Sequence, residues 1–236
     1  MLAVDLQNPL FWAIIVGWIL TVAVHEFAHG LVAWLGGDYT IRERGGLTLN
    51  PFHYIDPMMS IVLPTIFLLI GGIPLPGGAT YVRTDLLRGR GWTAAVGLAG
   101  PASNFILFLL CALPLHPALG WLNAGQSVND ASNAQIFLGA MAVLQFIATI
   151  LNLTPIPPLD GFGVLSPFMP PEQRRSLMTP PLSIILLVAF FAIIFLVPGA
   201  MNMVIDAMGN VLEILHFNER TGQFMVDCWA QVMGGR

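Results

Sequence analysis

Charge is what this chain has least of. Nine basic and 13 acidic side chains make up only 9% of its 236 residues, where soluble domains carry roughly 25%. A soluble fold of this length needs a charged shell, and these residues cannot supply one. All nine basic residues are Arg and there is no Lys. No basic face exists for a nucleic acid, and the net charge of −4 says little about partners. Only two Cys occur, Cys111 and Cys228, with Cys111 inside an apolar run, so a disulfide framework is not expected. The first nine residues carry Asp5 and no basic residue. The positive start of a secretory signal peptide is therefore missing, and the first apolar run reads as a retained span.

What the chain has instead is apolar length. Apolar residues make up 56%, and the mean hydropathy is +0.77. A spanning helix needs about 20 mostly apolar residues. Runs of that kind are expected over 10–35, 58–75, 92–115, 134–153 and 181–197. They are continuous rather than alternating, which argues against a membrane β-barrel. The expected fold is an all-α polytopic membrane protein with five to six membrane segments. Residues 1–236 read as one integral membrane domain. The last part, 199–236, reads as an amphipathic segment, because Asn202, Asp206, Asn210 and Glu213 form one helical stripe. That stripe suits a helix lying at the membrane surface, with a sixth span as its rival.

The connections carry an orientation signal. Arg42 and Arg44, then Arg83, Arg88 and Arg90, then Arg174 and Arg175 mark three of them, while 116–133 has no basic residue. Basic connections face the cytoplasm. Two consecutive connections are both basic, so the run Met58 to Leu75 is expected to dip in and return. Pro64 and Gly71-Gly72 would allow the bend.

Chemistry is concentrated in His25-Glu26-Phe27-Ala28-His29. On a helix, residues four apart face the same side, so both imidazoles can reach one metal ion. Glu26 can sit beside a water at the open coordination position as its base. With five His and five Glu in the chain, chance placement gives this pattern with probability about 0.002. Three ionisable groups within one turn of a spanning helix are also costly unless paired or ligating. Two His leave a tetrahedral site short of a ligand. Asp160 is the outstanding candidate, because it follows the proline-broken run Thr154-Pro155-Ile156-Pro157-Pro158-Leu159 and precedes Gly161. The plain alternative is an Asp that opens a loop or caps a helix.

Three stretches together resemble the site-2 proteases, zinc metalloproteases that cut within the membrane. They are His25–His29, Gly100-Pro101-Ala102-Ser103-Asn104, and Asn152 through Asp160-Gly161. The likeness is strongest to the compact bacterial branch, which also shows a stretch like Leu47 to Pro57, and it covers about 20–165. It implies a metalloprotease core over 10–165, zinc held by His25, His29 and Asp160, and Glu26 as the base. The branch commonly has His next to Ile-Asp-Pro, where this chain has Tyr54, with His53 one place earlier. No stretch is long and polar enough for the PDZ or CBS domain that many relatives carry.

Asn104 and Asn152 are amides within or near spans, and such groups need partners. They are candidate donors to the oxyanion formed during peptide hydrolysis, against plain hydrogen bonding between helices. The Gly/Pro-rich stretch from Gly71 to Val82 is expected to form a small membrane-associated β-hairpin, against an ordinary Gly/Pro-rich connection, and the resemblance implies that its open edge could hold an unwound substrate. The expected function is zinc-dependent cleavage of single-span membrane proteins in the bacterial cytoplasmic membrane, with the active site toward the cytoplasm. Its partners are then a transmembrane substrate and the bilayer, with a larger membrane complex possible and no nucleic acid. The alternative is a metal-binding scaffold, accessory subunit or transporter built on a protease fold.

Overall fold

The structure is a computed structural model, and it describes residues 7–56, 60, 77–123 and 125–233. Helices dominate, and no strand occurs among the described residues. Three helices are long and apolar enough to cross a membrane: α1 (Pro9–Gly36), the helix over Arg90–Leu115, and the one over Asn133–Asn152. A short helix α2 (Thr40–Glu43) follows α1. The second long helix is α-helical as α3 over Arg90–Ala112 and the third is α4 (Asn133–Asn152). Then come α5 (Asp160–Leu165), α6 (Pro171–Met178), α7 (Leu182–Leu196), α8 (Ala200–Ile214) and α9 (Glu219–Met233). The pair α6 and α7, bent by 66°, brings the candidate spans to four if it counts as one. Five to six spans are thus not reached among the described residues, because α7 alone has only 15 residues. The run 58–75 lies outside those residues, apart from Ser60. Of the expected hairpin, 71–76 also lies outside them, and 77–82 is irregular chain.

α1 begins where Asn8 Oδ1 accepts the Leu10 N–H (2.9 Å), with Pro9 at the first helical position. Its 28 residues rise about 42 Å, more than the roughly 30 Å of a hydrocarbon core. It stops at Gly36-Gly37, where Gly37 has φ +122°.

The chain divides into two compact units. The first holds residues 1–18, 104–148 and 198–236. There Gly17 leaves room for the Phe137 ring, and Phe108 meets Phe146 edge-on at 5.2 Å. α9 buries Phe224, Met225, Cys228 and Val232 on one face, and Gly139 of α4 lies against Cys228. α8 buries Val204, Met208 and Leu212 at steps of four.

The second unit holds residues 19–103 and 149–197. Leu159, Leu187 and Phe191 are buried together, with Leu151 and Ile156 against them. α7 thereby supports the loop that leads into Asp160. The loops beyond α1 are tied at one end of this unit. Asp38 is fully buried and accepts from Arg44 Nη2 and the Arg83 N–H, both at 2.9 Å, and from Thr40 Oγ1. Gly36 O accepts from the Arg88 N–H at 2.9 Å. Gly36 and the chain just before α3 therefore sit side by side. Ser60 Oγ donates to Gly77 O at 2.7 Å.

Candidate metal centre

α1 places His25 and His29 one turn apart on one face, and both are buried. Their Nε2 atoms stand 3.0 Å apart. Opposite them is the Asp160 carboxylate, with Oδ2 3.0 Å from His25 Nε2 and Oδ1 3.3 Å from His29 Nε2. Among the described residues this trio is the one group of three or more His, Cys, Asp or Glu that could hold a metal ion. Asp160 is the first residue of α5. Its place is fixed by Gly161, where a Cβ would collide with the Leu153 carbonyl at the end of α4. No other residue type fits that approach.

The donor set fits zinc. Ligands at about 2.0–2.1 Å in a tetrahedron stand roughly 3.3 Å apart, close to the 3.0–3.3 Å spacings here. His29 Nδ1–H donates to Val96 O at 2.7 Å. A carbonyl only accepts, so the proton sits on Nδ1 and the Nε2 lone pair faces Asp160 and His25. Three electron-rich atoms so close, in a buried place, repel one another unless a cation or protons lie between them.

Glu26 is also buried. Its Cγ lies where Gly78 has no side chain, at 3.0 Å from the position a Cβ would take. Thr80 Oγ1 donates to Glu26 O at 3.1 Å, and Ala79 N–H donates to Tyr54 O at 3.1 Å. Residues 77–81 therefore run directly along the Glu26 turn of α1. Beside them is a cleft of about 220 Å³ lined by residues that include Arg44, His53, Tyr54 and Tyr81. Tyr54 is buried and donates to Thr48 O at 2.6 Å. Burial, first, and the Glu26 charge push its phenol above the ordinary value. His53 packs over Gly45 and is not in the trio.

The other sequence candidates are placed less decisively. Asn152 ends α4, half-buried, and its side-chain amide bonds to no described residue. Asn104 is buried within α3, again without a described partner for its amide. Sequence reasoning missed Val96, which acts through its carbonyl, because a backbone oxygen leaves no residue-type signature. Gly78 and Thr80 lie in the stretch from Gly71 to Val82 that it singled out.

No family profile and no solved structure matches the chain. Named relatives do. Over 204 residues the chain is 39% identical to "Putative zinc metalloprotease Rip2" of Mycobacterium tuberculosis, covering 84% of this chain and 73% of that one. The protein of the same name from Mycolicibacterium smegmatis is 39% identical over 183 residues, 75% of this chain. The chain spans 66% of that relative's length. "Putative zinc metalloprotease YwhC" of Bacillus subtilis is 32% identical over 167 residues, 67% of this chain and 70% of that one. The chain belongs to the site-2 family of zinc metalloproteases. Zinc is the metal of this site-2 family member, and its long apolar helices make it a membrane protein.

Proposed function

We propose that this chain is an intramembrane zinc endopeptidase that hydrolyses peptide bonds of single-span membrane proteins. The observation that carries the reading is the convergence of His25, His29 and Asp160 beside Glu26, reached from α1, a helix apolar enough to cross a membrane. His25, His29 and Asp160 hold the metal. Zinc bound there supplies Lewis-acid polarisation and lowers the pKa of water to near neutrality. Glu26 takes a proton from the attacking water and passes it to the leaving amine. Asn152 donates to the oxyanion, and Asn104 is the second candidate for that task. A substrate helix must unwind to expose a carbonyl, and residues 77–81, irregular chain lying along the Glu26 turn, are the segment we assign to replacing its lost hydrogen bonds. A site toward the cytoplasmic side is the reading that the Arg-bearing loops at the Gly36 end support, because basic connections favour the cytoplasm.

The scaffold or transporter reading needs the ligands but gives no role to Glu26. Reconstitution in lipid vesicles with a single-span substrate separates them. The expected result is cleavage within the apolar span, mapped by mass spectrometry and abolished by a zinc chelator. Intact substrate after prolonged incubation with zinc-loaded protein would contradict the protease reading.

A further inference from the structure

We propose that α3 belongs to the metal centre without giving it a ligand, Gly100 keeping the ion's place open and Gly97 setting how closely Asp160 approaches. The inference rests on the assignment of His25, His29 and Asp160 as zinc ligands. A Cβ built on Gly100 would meet His29 Nε2, His25 Nε2 and His25 Cε1, all well under the 3.0 Å that real Cβ atoms keep. That carbon would lie between the two ring nitrogens, in the space their lone pairs share. The backbone of α3 is thus the wall of the site, and any side chain at 100 fills it.

One turn earlier, a Cβ on Gly97 would meet Val164 N at 2.8 Å, Gly163 C at 2.9 Å and Asp160 O at 3.0 Å. These are backbone atoms of α5, which cannot swing aside as a flexible side chain can. Gly97 therefore lets α5 lie against α3, and Asp160 is carried on that helix. The carbonyl of Val96, beside Gly97, fixes the His29 tautomer. Two steric vacancies and one carbonyl on five consecutive residues thus define where the ion sits, how near the carboxylate comes and which way an imidazole faces. Gly91 is the natural control on the same helix, since a Cβ there meets nothing within 4 Å.

The test uses the full chain in detergent, with zinc content and Co²⁺ absorption as readouts alongside cleavage. Wild type and Gly91→Ala should each bind one zinc, and His25→Ala should bind none. Gly100→Ala should lose zinc by more than about 10²-fold in affinity, with helical circular dichroism and melting temperature matching those of metal-free wild type. Gly97→Ala, which leaves the ion's place clear, should still take up Co²⁺ but with altered d–d bands and weaker affinity, as expected for a displaced Asp160. Zinc bound normally by Gly100→Ala overturns the role of Gly100. Wild-type Co²⁺ bands in Gly97→Ala overturn that of Gly97, and this variant decides the matter for α3 if Gly100→Ala does not fold. Zinc retained in His25→Ala overturns the ligand assignment itself and the inference with it.

Discussion

At the scale of single residues, the site is a division of labour among neighbours on one turn. His25 and His29 share a face because they are four apart, and Glu26 points about 100° away from His25. That offset makes Glu26 a poor ligand and a good base. Asp160 arrives from 131 residues beyond His29 and closes to 3.0–3.3 Å of both rings. Asp160→Ala should lower zinc affinity by at least about tenfold, since it removes one of three protein ligands. A competition titration with a chromophoric chelator measures this, and unchanged affinity would remove Asp160 from the ligand set. The His-Glu-His pattern was legible in the sequence because helix periodicity converts spacing into geometry. Asp160 was legible because three prolines and a glycine mark broken backbone at a span's end. Gly97 and Gly100 were not, because a vacancy is read only against the atoms that would fill it.

At the scale of elements, two features of the connections invite tests. Asp38 is the buried acceptor that joins the α1–α2 turn to the 81–88 chain. Arg44 Nη1 adds a bond to Tyr81 O at 2.6 Å. Asp38→Ala strands the Arg83 N–H and loosens Arg44, at a cost of about 1–3 kcal/mol. Limited trypsin digestion should then cut faster at Arg83 and Arg88, and an unchanged pattern would contradict the role. His216, between α8 and α9, has φ +62°. The left-handed conformation costs an L residue roughly 1–2 kcal/mol, partly offset in Gly by about 0.5–1 kcal/mol of chain entropy. His216→Gly should therefore stabilise the fold by a net of up to about 1.5 kcal/mol and raise the melting temperature; a fall would mean that the imidazole itself stabilises the turn. The apolar runs gave α1, α3 and α4 almost to the residue, because 18 or more apolar residues have few other solutions. The polar stripe from Asn202 to Glu213 marked α8, while the left-handed turn at His216 that ends it was not legible, since no glycine signals it. The sequence reading also expected strand at 77–82, where the chain is held by Tyr54 O and Glu26 O rather than by a partner strand.

At the scale of the whole molecule, burial and topology make two further predictions. Cys228 is fully buried, and burial together with the nearby Asp227 charge pushes its thiol up to about 12. The thiolate is the reactive form. In native protein at pH 8, Cys228 should resist maleimide and react only after denaturation; rapid labelling of the native protein would show that α9 is not docked. The sign follows from the fold's preference for the S–H form. Its contribution to stability is complete below the unfolded value near 9.0 and declines as pH rises toward about 12. The bonds that tie Gly36 to Arg88 predict that cysteines introduced at Arg44 and Arg88 label from one side of the membrane. Labelling from opposite sides would contradict the fold around the site.

The central claim is that a metal-dependent protease works here with Glu26 as its base. The most direct measurement is cleavage of a reconstituted single-span substrate by Glu26→Gln protein, with zinc content determined on the same sample. Gln keeps the shape of Glu and removes the basic oxygen. The account predicts full zinc, an unchanged fold and a loss of cleavage of at least about 10²-fold. Glu26→Gln protein that holds zinc and cuts as fast as wild type would contradict it.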